Sequence, residues 1–208
     1  MKMFSDHVRN GLVFLPEIGV GRFPVPKQRP YDAGYFARYQ RMAKTPMGRA
    51  LTQARIALVA RHYAGTLLDV GVGSGQFVLE RNHTLGYAVN PAGIEWLKSH
   101  GRWADLYGEC YPALSFWDAL EHIDDPEAAV ARAKKWVFVS IPIFRDADHL
   151  LRSRHFRKDE HIWYFTHAGL LRWFDEQGFD CREWNEAETS LGRDGIHSYA
   201  FERRHSPA

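Results

Sequence analysis

The sequence predicts an α/β fold built on a parallel sheet. Short apolar segments alternate with helical segments through the middle of the chain, a pattern typical of parallel strands covered on both faces by helices. The first strand runs into residues 67–77, Leu-Leu-Asp-Val-Gly-Val-Gly-Ser-Gly-Gln-Phe, where three glycines alternate. Such glycines let a ligand lie on the main chain, and a following helix directs free N–H groups there. We therefore expect a nucleotide-like cofactor at this loop.

The composition fits one packed domain. The chain has 208 residues, of which 45% are hydrophobic. No apolar stretch approaches the length needed to span a bilayer, and the N-terminal residues lack the pattern of a secretory signal. Cys110 and Cys181 are isolated, which predicts free thiols in a reducing compartment. We expect a cytoplasmic protein with no membrane partner, and the oligomeric state stays open.

The charge is unevenly distributed along the chain. The net charge is +2, but residues 1–60 carry ten Lys and Arg residues against three Asp and Glu residues. This basic segment could contact an anionic partner such as nucleic acid. Because the charges are scattered and form no dense run, we favour a solvated surface that lies against the more acidic remainder.

Two N-terminal segments precede the predicted sheet. Residues 1–33 are rich in proline and glycine, which predicts an irregular arm. From Tyr35 to His62 the spacing of apolar residues is helical, and an apolar stripe lies just before the glycine loop. We therefore divide the chain into an N-terminal arm and helical cover, residues 1–50, and a main domain, residues 51–208.

The main domain reads as alternating strands and helices. Strands are predicted at Leu67–Val70, Leu85–Val89, Ala113–Trp117 and Trp136–Ile141, with a short edge strand at Trp103–Leu106. Helices are predicted between them at about 76–82, 91–99 and 125–134.

The end of the chain changes character. Thr166 can cap a helix from about His167 to Gln177, which Gly178 would end. Two further strands, Phe179–Trp184 and Ile196–Glu202, are joined by a polar loop. They are expected to be antiparallel, because their connection contains no crossover helix.

Four motifs, in this order, resemble those of the class I S-adenosylmethionine-dependent methyltransferases. The matching segments begin at Asp69 (Asp-Val-Gly-Val-Gly-Ser-Gly), Gly86 (Gly-Tyr-Ala-Val-Asn-Pro), Asp118 (Asp-Ala-Leu-Glu-His) and His161 (His-Ile-Trp-Tyr-Phe-Thr). The resemblance runs from Arg55 to the C-terminus. It implies a Rossmann-like, seven-stranded sheet with an antiparallel last strand and an N-terminal helical cover. The cofactor would be S-adenosylmethionine and the product S-adenosylhomocysteine.

The resemblance also implies a set of cofactor-binding residues. Arg55, on the helix before the first strand, would hold the cofactor carboxylate. An equal alternative is that Arg55 only faces solvent. Asp105 follows a short apolar segment, at the place where the family contacts the adenine amino group, although a surface acid is nearly as good an interpretation. Asp118 is assigned to the cofactor and is also a candidate on the acceptor side. The predicted set is Arg55, Asp69, Gly71, Gly73, Gly75, Asn90, Asp105 and Asp118.

One position departs from the family pattern. Related enzymes carry Asp or Glu at the end of the second strand, where the carboxylate accepts hydrogen bonds from both ribose hydroxyls. This chain has Ala88 there, and Asn90 offers only one carbonyl acceptor. Losing a charged hydrogen bond weakens binding by about 1.5–3 kcal/mol, or up to about two orders of magnitude in affinity. Either Asn90 or a neighbour substitutes, or the cofactor binds more weakly.

Three residues are candidates for catalysis. His122 and His161 could take a proton from a hydroxyl or amine, and Glu121 lies beside His122. His149, His155, His161 and His167 recur every six residues, which fits neither helix nor strand periodicity, so we expect no metal site.

The sequence therefore predicts an enzyme that transfers a methyl group to an O or N nucleophile. Five cations follow the fifth strand, where such folds insert a substrate lid, and they suggest an anionic small-molecule acceptor: Arg145, Arg152, Arg154, Arg157 and Lys158. Two alternatives stay open. One is a DNA- or RNA-modifying methyltransferase, suggested by the basic N-terminal segment, and the other is a non-catalytic S-adenosylmethionine-binding protein, suggested by Ala88.

Overall fold

A computed structural model describes residues 8–9, 11–24 and 31–204 of the chain. Three short strands come first, β1 (Val8–Arg9), β2 (Leu12–Leu15) and β3 (Val20–Arg22). Helices α1 (Ala33–Ala43) and α2 (Pro46–His62) follow. The predicted helical stretch is thus two helices, because Thr45 caps α2 with its side chain and Pro46 takes the first helical position.

Strands and helices then alternate as predicted. The elements are β4 (Leu67–Val70), α3 (Gln76–Glu80), β5 (Thr84–Tyr87), α4 (Pro91–Ser99), β6 (Tyr111–Trp117), a 3₁₀ turn (Leu120–His122), α5 (Pro126–Val130) and β7 (Ala133–Phe144). The chain continues through α6 (Ala147–Arg152), β8 (Trp163–Thr166), α7 (His167–Glu176), β9 (Phe179–Asn185), α8 (Ala187–Ser190) and β10 (Ile196–Arg203).

The main sheet has the order β5-β4-β6-β7-β10-β9. The strands from β5 to β7 are parallel, and β10 lies antiparallel between β7 and β9. The predicted edge strand at Trp103–Leu106 is reduced to a single parallel bridge between Gly86 and Trp103, which lies beyond β5. This arrangement confirms the Rossmann-like methyltransferase sheet with an antiparallel last strand.

The expectation of an irregular arm was wrong for residues 8–9 and 11–24, whereas residues 1–7, 10 and 25–30 of that arm lie outside the described residues. The chain forms an antiparallel ribbon in the order β1-β2-β3-β8, and β8 joins the main sheet through Ile143 and Phe144 at the end of β7. Apolar side chains of β2 pack with those of the segment that follows β7, including Phe14, Leu150 and Tyr164. The ribbon therefore forms because tertiary packing buries its apolar face, which local composition does not reveal.

The topology brings several loops to one edge of the sheet. The carboxyl ends of β4, β5, β6 and β7 lie side by side, the usual ligand-binding position in α/β sheets. The predicted domain boundary at residue 50 falls inside α2, and the division into two segments stays a prediction. Among the described residues, none of the helices combines the length and the apolar character needed to cross a membrane.

Candidate active site

The glycine loop follows β4 directly and has the backbone that the sequence predicts. Gly71, Gly73 and Gly75 have φ angles of 79°, 55° and 80°, which side-chain-bearing residues rarely adopt. A methyl group added at Gly75 would overlap the ring of Trp96. Within the described part of the chain, a methyl added at Gly73 would meet Tyr39 alone, at 3.7 Å. The loop therefore needs glycine for its conformation, and at Gly73 it also leaves open space above the main chain.

Asp69 lies at the end of β4, below this loop. Its side chain is buried, and one carboxylate oxygen accepts a hydrogen bond of 2.6 Å from Ser115 Oγ on β6. Burial raises the pKa of Asp69 to about 7, against the opposing effects of Ser115 and Arg55. A carboxylate beside free backbone N–H groups suits an ammonium group, so Asp69 and the three glycines fit the amino acid portion of S-adenosylmethionine.

The end of β5 offers little to a ribose. Ala88 is buried and has no polar side-chain atom. Asn90 Oδ1 accepts from the N–H of Ala92 at 2.9 Å, and its Nδ2 donates to the carbonyl of Asp32 at 3.0 Å. Asn90 thus caps α4 and ties the N-terminal segment to it. A role for Asn90 in cofactor binding stays a prediction, and both ends of its amide already have partners.

Asp105 is exposed in the turn after the Gly86–Trp103 bridge. Its Oδ1 accepts from the N–H of Tyr107 at 3.1 Å. Asp105 is therefore a surface acid that stabilises its own turn, and its contact with the adenine stays a prediction.

Arg55 and Asp118 belong to a network of four charged side chains. Arg55 donates to Glu188 at 2.7 Å and to Asp118 at 3.0 Å, and its guanidinium lies over the ring of Trp117. Arg193 binds both oxygens of Asp118, at 2.6 and 2.8 Å, and also contacts Glu188 at 2.6 Å. Burial opposes ionisation of Asp118, but Arg193 and Arg55 outweigh it and lower its pKa to about 2.

The network includes two residues that sequence reasoning missed, Glu188 and Arg193. They lie in the connection between β9 and β10, where the sequence indicates only a polar loop. Glu188 is 1% exposed although its side chain is a carboxyl group, and nothing in the neighbouring sequence predicts this burial. The partners that enclose Glu188 are Arg55 on α2 and Arg193, and both also bind Asp118, so the connection closes over the carboxyl end of β6.

The three predicted catalytic residues converge. The ligand-type atoms of Glu121, His122 and His161 all lie within 4.8 Å of one another, and the two imidazole centroids are 4.7 Å apart. The backbone carbonyl of Glu121 accepts from the N–H of Ile162, which fixes His161 beside the 3₁₀ turn. The other three histidines of the six-residue series lie outside this group.

Burial controls the protonation of this cluster. It lowers the pKa of His161 to about 2, with His122 and Arg157 acting in the same direction. Burial also lowers the pKa of His122 and raises that of Glu121 well above its ordinary value. His122 Nδ1 bonds to the carbonyl of Glu160 at 2.8 Å, and because a carbonyl only accepts, Nδ1 carries the proton. His122 Nε2 therefore keeps its lone pair.

The cluster and the glycine loop are neighbours. A methyl group added at Gly71 would lie 2.9 Å from Cβ of Ala119, which follows β6 and immediately precedes the 3₁₀ turn. The hydroxyl of Tyr31 lies 3.3 Å from His122 Nδ1, and the rings of Tyr31, Tyr35 and Tyr39 pack in series. This row of tyrosines extends from His122 to the space above Gly73, so the N-terminal segment covers both places.

The predicted lid packs on the N-terminal ribbon. Residues Phe156 and Lys158 contact Phe23, the first through its ring at 5.7 Å and the second through its ammonium group at 5.8 Å. Arg157 pairs with Glu160 at 2.7 Å, so one of the five cations supports the cluster's own backbone. Arg145, Arg152 and Arg154 are exposed.

A separate groove of about 610 Å³ lies between the ribbon, α5 and α7. Its lining includes Trp163 and Trp173 but none of the predicted site residues. It therefore does not form part of the candidate site.

Comparisons with known proteins agree with this geometry. Residues 36–183 match the family model described as a methyltransferase domain, whereas no curated protein matches the sequence. A magnesium protoporphyrin IX methyltransferase from Synechocystis, solved with bound SAH, is 13% identical with a TM-score of 0.62. The alignment covers 84% of this chain and 96% of that one.

Two further solved structures are similar at low sequence identity. A SAM-dependent methyltransferase from Thermotoga maritima has a TM-score of 0.59 at 14% identity, covering 82% of this chain and 97% of that one. The 1,6-didemethyltoxoflavin-N1-methyltransferase of Burkholderia thailandensis, with that compound and S-adenosylhomocysteine bound, has a TM-score of 0.54 at 14% identity. It covers 89% of this chain and 96% of that one. The family match, the sheet order and the glycine loop together identify the chain as a member of the class I S-adenosylmethionine-dependent methyltransferases.

Proposed function

We propose that this methyltransferase acts on a hydroxyl or amine group of a small anionic molecule. The observation that carries the proposal is the contact between the two halves of the site. Gly71 of the cofactor loop packs against Ala119, which leads into the turn that bears Glu121 and His122. An acceptor held at the cluster would therefore lie beside the cofactor.

The roles of the chain's own residues follow from their chemistry. Bound S-adenosylmethionine supplies a methyl group on a sulfonium sulfur. Asp69 and the glycine loop hold the cofactor, and the tyrosines from Tyr31 to Tyr39 exclude water from the space above it. His122 Nε2 takes the proton that the acceptor oxygen or nitrogen must lose, because its Nδ1 is already committed to Glu160.

The anionic character of the acceptor rests on the cations that follow β7. Arg145, Arg152 and Arg154 are exposed on a segment whose later residues, 160–161, reach the cluster. Guanidinium groups bind carboxylates and phosphates in a bidentate manner. A nucleic-acid acceptor is less favoured, because several N-terminal cations have other partners: Arg55 is in the buried network, and Arg22 and Arg38 lie over aromatic rings.

A labelled-methyl transfer assay tests this function. The assay offers matched pairs of small hydroxy and amino compounds, one member with a free carboxylate and one with its methyl ester. We expect transfer to favour the carboxylate member, and Arg154→Gln to reduce that preference about tenfold. Equal rates for both members throughout the panel would remove the anionic acceptor.

A second assay isolates the role of His122. We expect His122→Gln to lower kcat by about 100-fold, because general base catalysis contributes at least this much, while the cofactor Kd is unchanged. His100→Gln, which changes an exposed histidine directly after α4, is the matched control. A kcat equal to that of the control would exclude His122 from the chemistry.

A further inference from the structure

Glu121, His122 and His161, which we call the Glu-His-His cluster, have the composition of a metal site. Each offers one ligand-type atom, and all these atoms lie within 4.8 Å of one another. Two ligand atoms bound to the same tetrahedral Zn²⁺ lie about 3.4 Å apart, since each bond is about 2.1 Å long. Side-chain rotations that bring the atoms together by up to about 1.4 Å would therefore complete the coordination.

The buried polar atoms of the cluster lack partners. Glu121 is 1% exposed, and neither of its carboxylate oxygens has a hydrogen-bond partner among the described residues. His161 is 4% exposed, and within the same part of the chain its Nδ1 also has none. Buried polar groups are nearly always paired, so two such side chains aimed at one point indicate a missing ligand.

The orientation of His122 supports the same conclusion. A histidine that binds a metal usually donates its other ring N–H to a backbone carbonyl or carboxylate, which fixes the ring and the tautomer. His122 Nδ1 donates in this way to the carbonyl of Glu160 at 2.8 Å, and Tyr31 supports the same nitrogen. Nε2 is left with a lone pair, and the His122 side chain as a whole is partly exposed.

The neighbouring charges are compensated by other groups. Asp118 is bound by Arg55 and Arg193, and Glu160 is bound by Arg157 at 2.7 Å. These pairs face the cluster but leave the Glu121 carboxyl without a cation of its own. A divalent cation would supply the positive charge that the Glu121 carboxylate needs as a partner.

We propose that the Glu-His-His cluster binds one divalent transition-metal cation, with an open coordination position facing the acceptor. Two imidazole nitrogens and one carboxylate suit Zn²⁺, Fe²⁺, Co²⁺ or Mn²⁺ better than Mg²⁺ or Ca²⁺. In the metal-bound protein the lone pair of His122 Nε2 is taken up by the cation and cannot also accept a proton. The metal would then replace His122 as the activating group, because a metal-bound hydroxyl gives up its proton to solvent far more readily than a free one. The catalytic role of the metal rests on the proposed function, and this role requires a hydroxyl compound as the acceptor. Metal binding itself does not rest on the proposed function.

The test is a titration of chelator-treated, full-length protein with Co²⁺ and, in competition, Zn²⁺. We expect one equivalent of Co²⁺ to bind with a visible absorption band typical of nitrogen and oxygen ligands. Glu121→Gln and His161→Gln should each weaken Co²⁺ binding at least 100-fold, whereas His100→Gln, an exposed histidine outside the cluster, should leave it unchanged. Circular dichroism verifies that each variant folds, and His122→Gln replaces any variant that does not.

Two results would overturn the metal site. One is the absence of stoichiometric Co²⁺ and Zn²⁺ binding to the wild-type protein, and the other is binding to the cluster variants that equals binding to His100→Gln. Calorimetry of S-adenosylmethionine with the same metal-free protein keeps the two proposals apart. Cofactor binding without metal binding rejects the metal site alone, and metal binding without cofactor binding rejects the proposed function alone.

Discussion

The carboxyl group of Asp69 is 1% exposed, and the hydrogen bond from Ser115 only partly compensates for its burial. Its pKa of about 7 lies above the ordinary value of 3.8. The folded protein therefore holds this proton more tightly than the unfolded chain does. The free energy of unfolding consequently falls as the pH rises from about 4 to about 7, and the loss is complete above pH 7.

We predict that Asp69→Asn stabilises the cofactor-free protein at high pH. The amide can still accept from Ser115 but has no charge to bury. The variant should match the wild-type protein near pH 4 and exceed its free energy of unfolding by about 2–4 kcal/mol at pH 8. Urea unfolding at several pH values measures this difference. A difference that is independent of pH would contradict the raised pKa.

The same substitution should weaken cofactor binding. We predict that the wild-type affinity for S-adenosylmethionine rises with pH up to about 7, because the ammonium group binds the ionised form of Asp69. In Asp69→Asn the affinity should fall at least tenfold and lose this pH dependence. Calorimetry between pH 5.5 and 7.5 measures both effects, and a variant with wild-type affinity would exclude Asp69 from the binding site.

Ala88 leads to a prediction of the opposite sign. A carboxylate at this position could accept from the ribose hydroxyls, so Ala88→Asp should raise cofactor affinity by about 10- to 100-fold. Val89→Asp is the control, because Val89 is 65% exposed. Calorimetry compares the two variants. No gain for Ala88→Asp over Val89→Asp would mean that the ribose does not lie at the end of β5.

At the scale of elements, substitutions in the glycine loop can distinguish effects on stability from effects on cofactor binding. Gly73 and Gly101 both have positive φ angles, 55° and 62°, and a methyl group at either meets little. We predict that Gly73→Ala and Gly101→Ala each reduce the free energy of unfolding by about 1–2 kcal/mol, since both strain the backbone alike. Thermal or urea unfolding measures these values.

Only one of these two substitutions should affect the cofactor. The space above Gly73 is where the cofactor would lie on the main chain, so we expect Gly73→Ala to weaken S-adenosylmethionine binding at least 30-fold. Gly101→Ala should bind it like the wild-type protein. Equal cofactor affinities for the two variants would place the cofactor away from this loop.

The sequence predicted the elements of the main sheet well because each has a local signal. The apolar run at Leu67–Val70 and the helix that begins with Asn90-Pro91 were predicted with their observed bounds. The break at Thr45-Pro46 also had a local signal, which the longer helical pattern obscured. The N-terminal ribbon had none, because β3 has three residues and its pairing with β8 depends on residues over 140 positions away.

At the scale of the whole molecule, the charged network joins three distant parts of the chain. Arg55 and Glu188 are separated by 133 positions, and Asp118 and Arg193 by 75. Sequence reasoning selected Arg55 and Asp118 through a family resemblance but had no means of finding their partners. The three residues of the Glu-His-His cluster were each predicted from the sequence as catalytic candidates. Their convergence was not predicted, because it depends on the segment before β8 meeting the 3₁₀ turn in space.

We predict that the network contributes strongly to stability. Glu188→Ala removes a carboxylate that is enclosed by two guanidinium groups, so it should reduce the free energy of unfolding by about 3 kcal/mol. Glu186→Ala is the control, because that side chain is half exposed and makes a single long ion-pair contact of 3.6 Å with His197 among the described residues. It should change stability by less than about 0.5 kcal/mol. Equal effects would show that the buried network has no special weight.

Cofactor binding at the glycine loop is the property on which the proposed function depends most directly. Isothermal titration calorimetry of the wild-type protein with S-adenosylmethionine and with S-adenosylhomocysteine, repeated on Gly73→Ala and Gly101→Ala, measures it. We predict that both compounds bind the wild-type protein and Gly101→Ala in a 1:1 ratio, and that Gly73→Ala binds them at least 30-fold more weakly. Binding of neither compound to the wild-type protein would contradict the account.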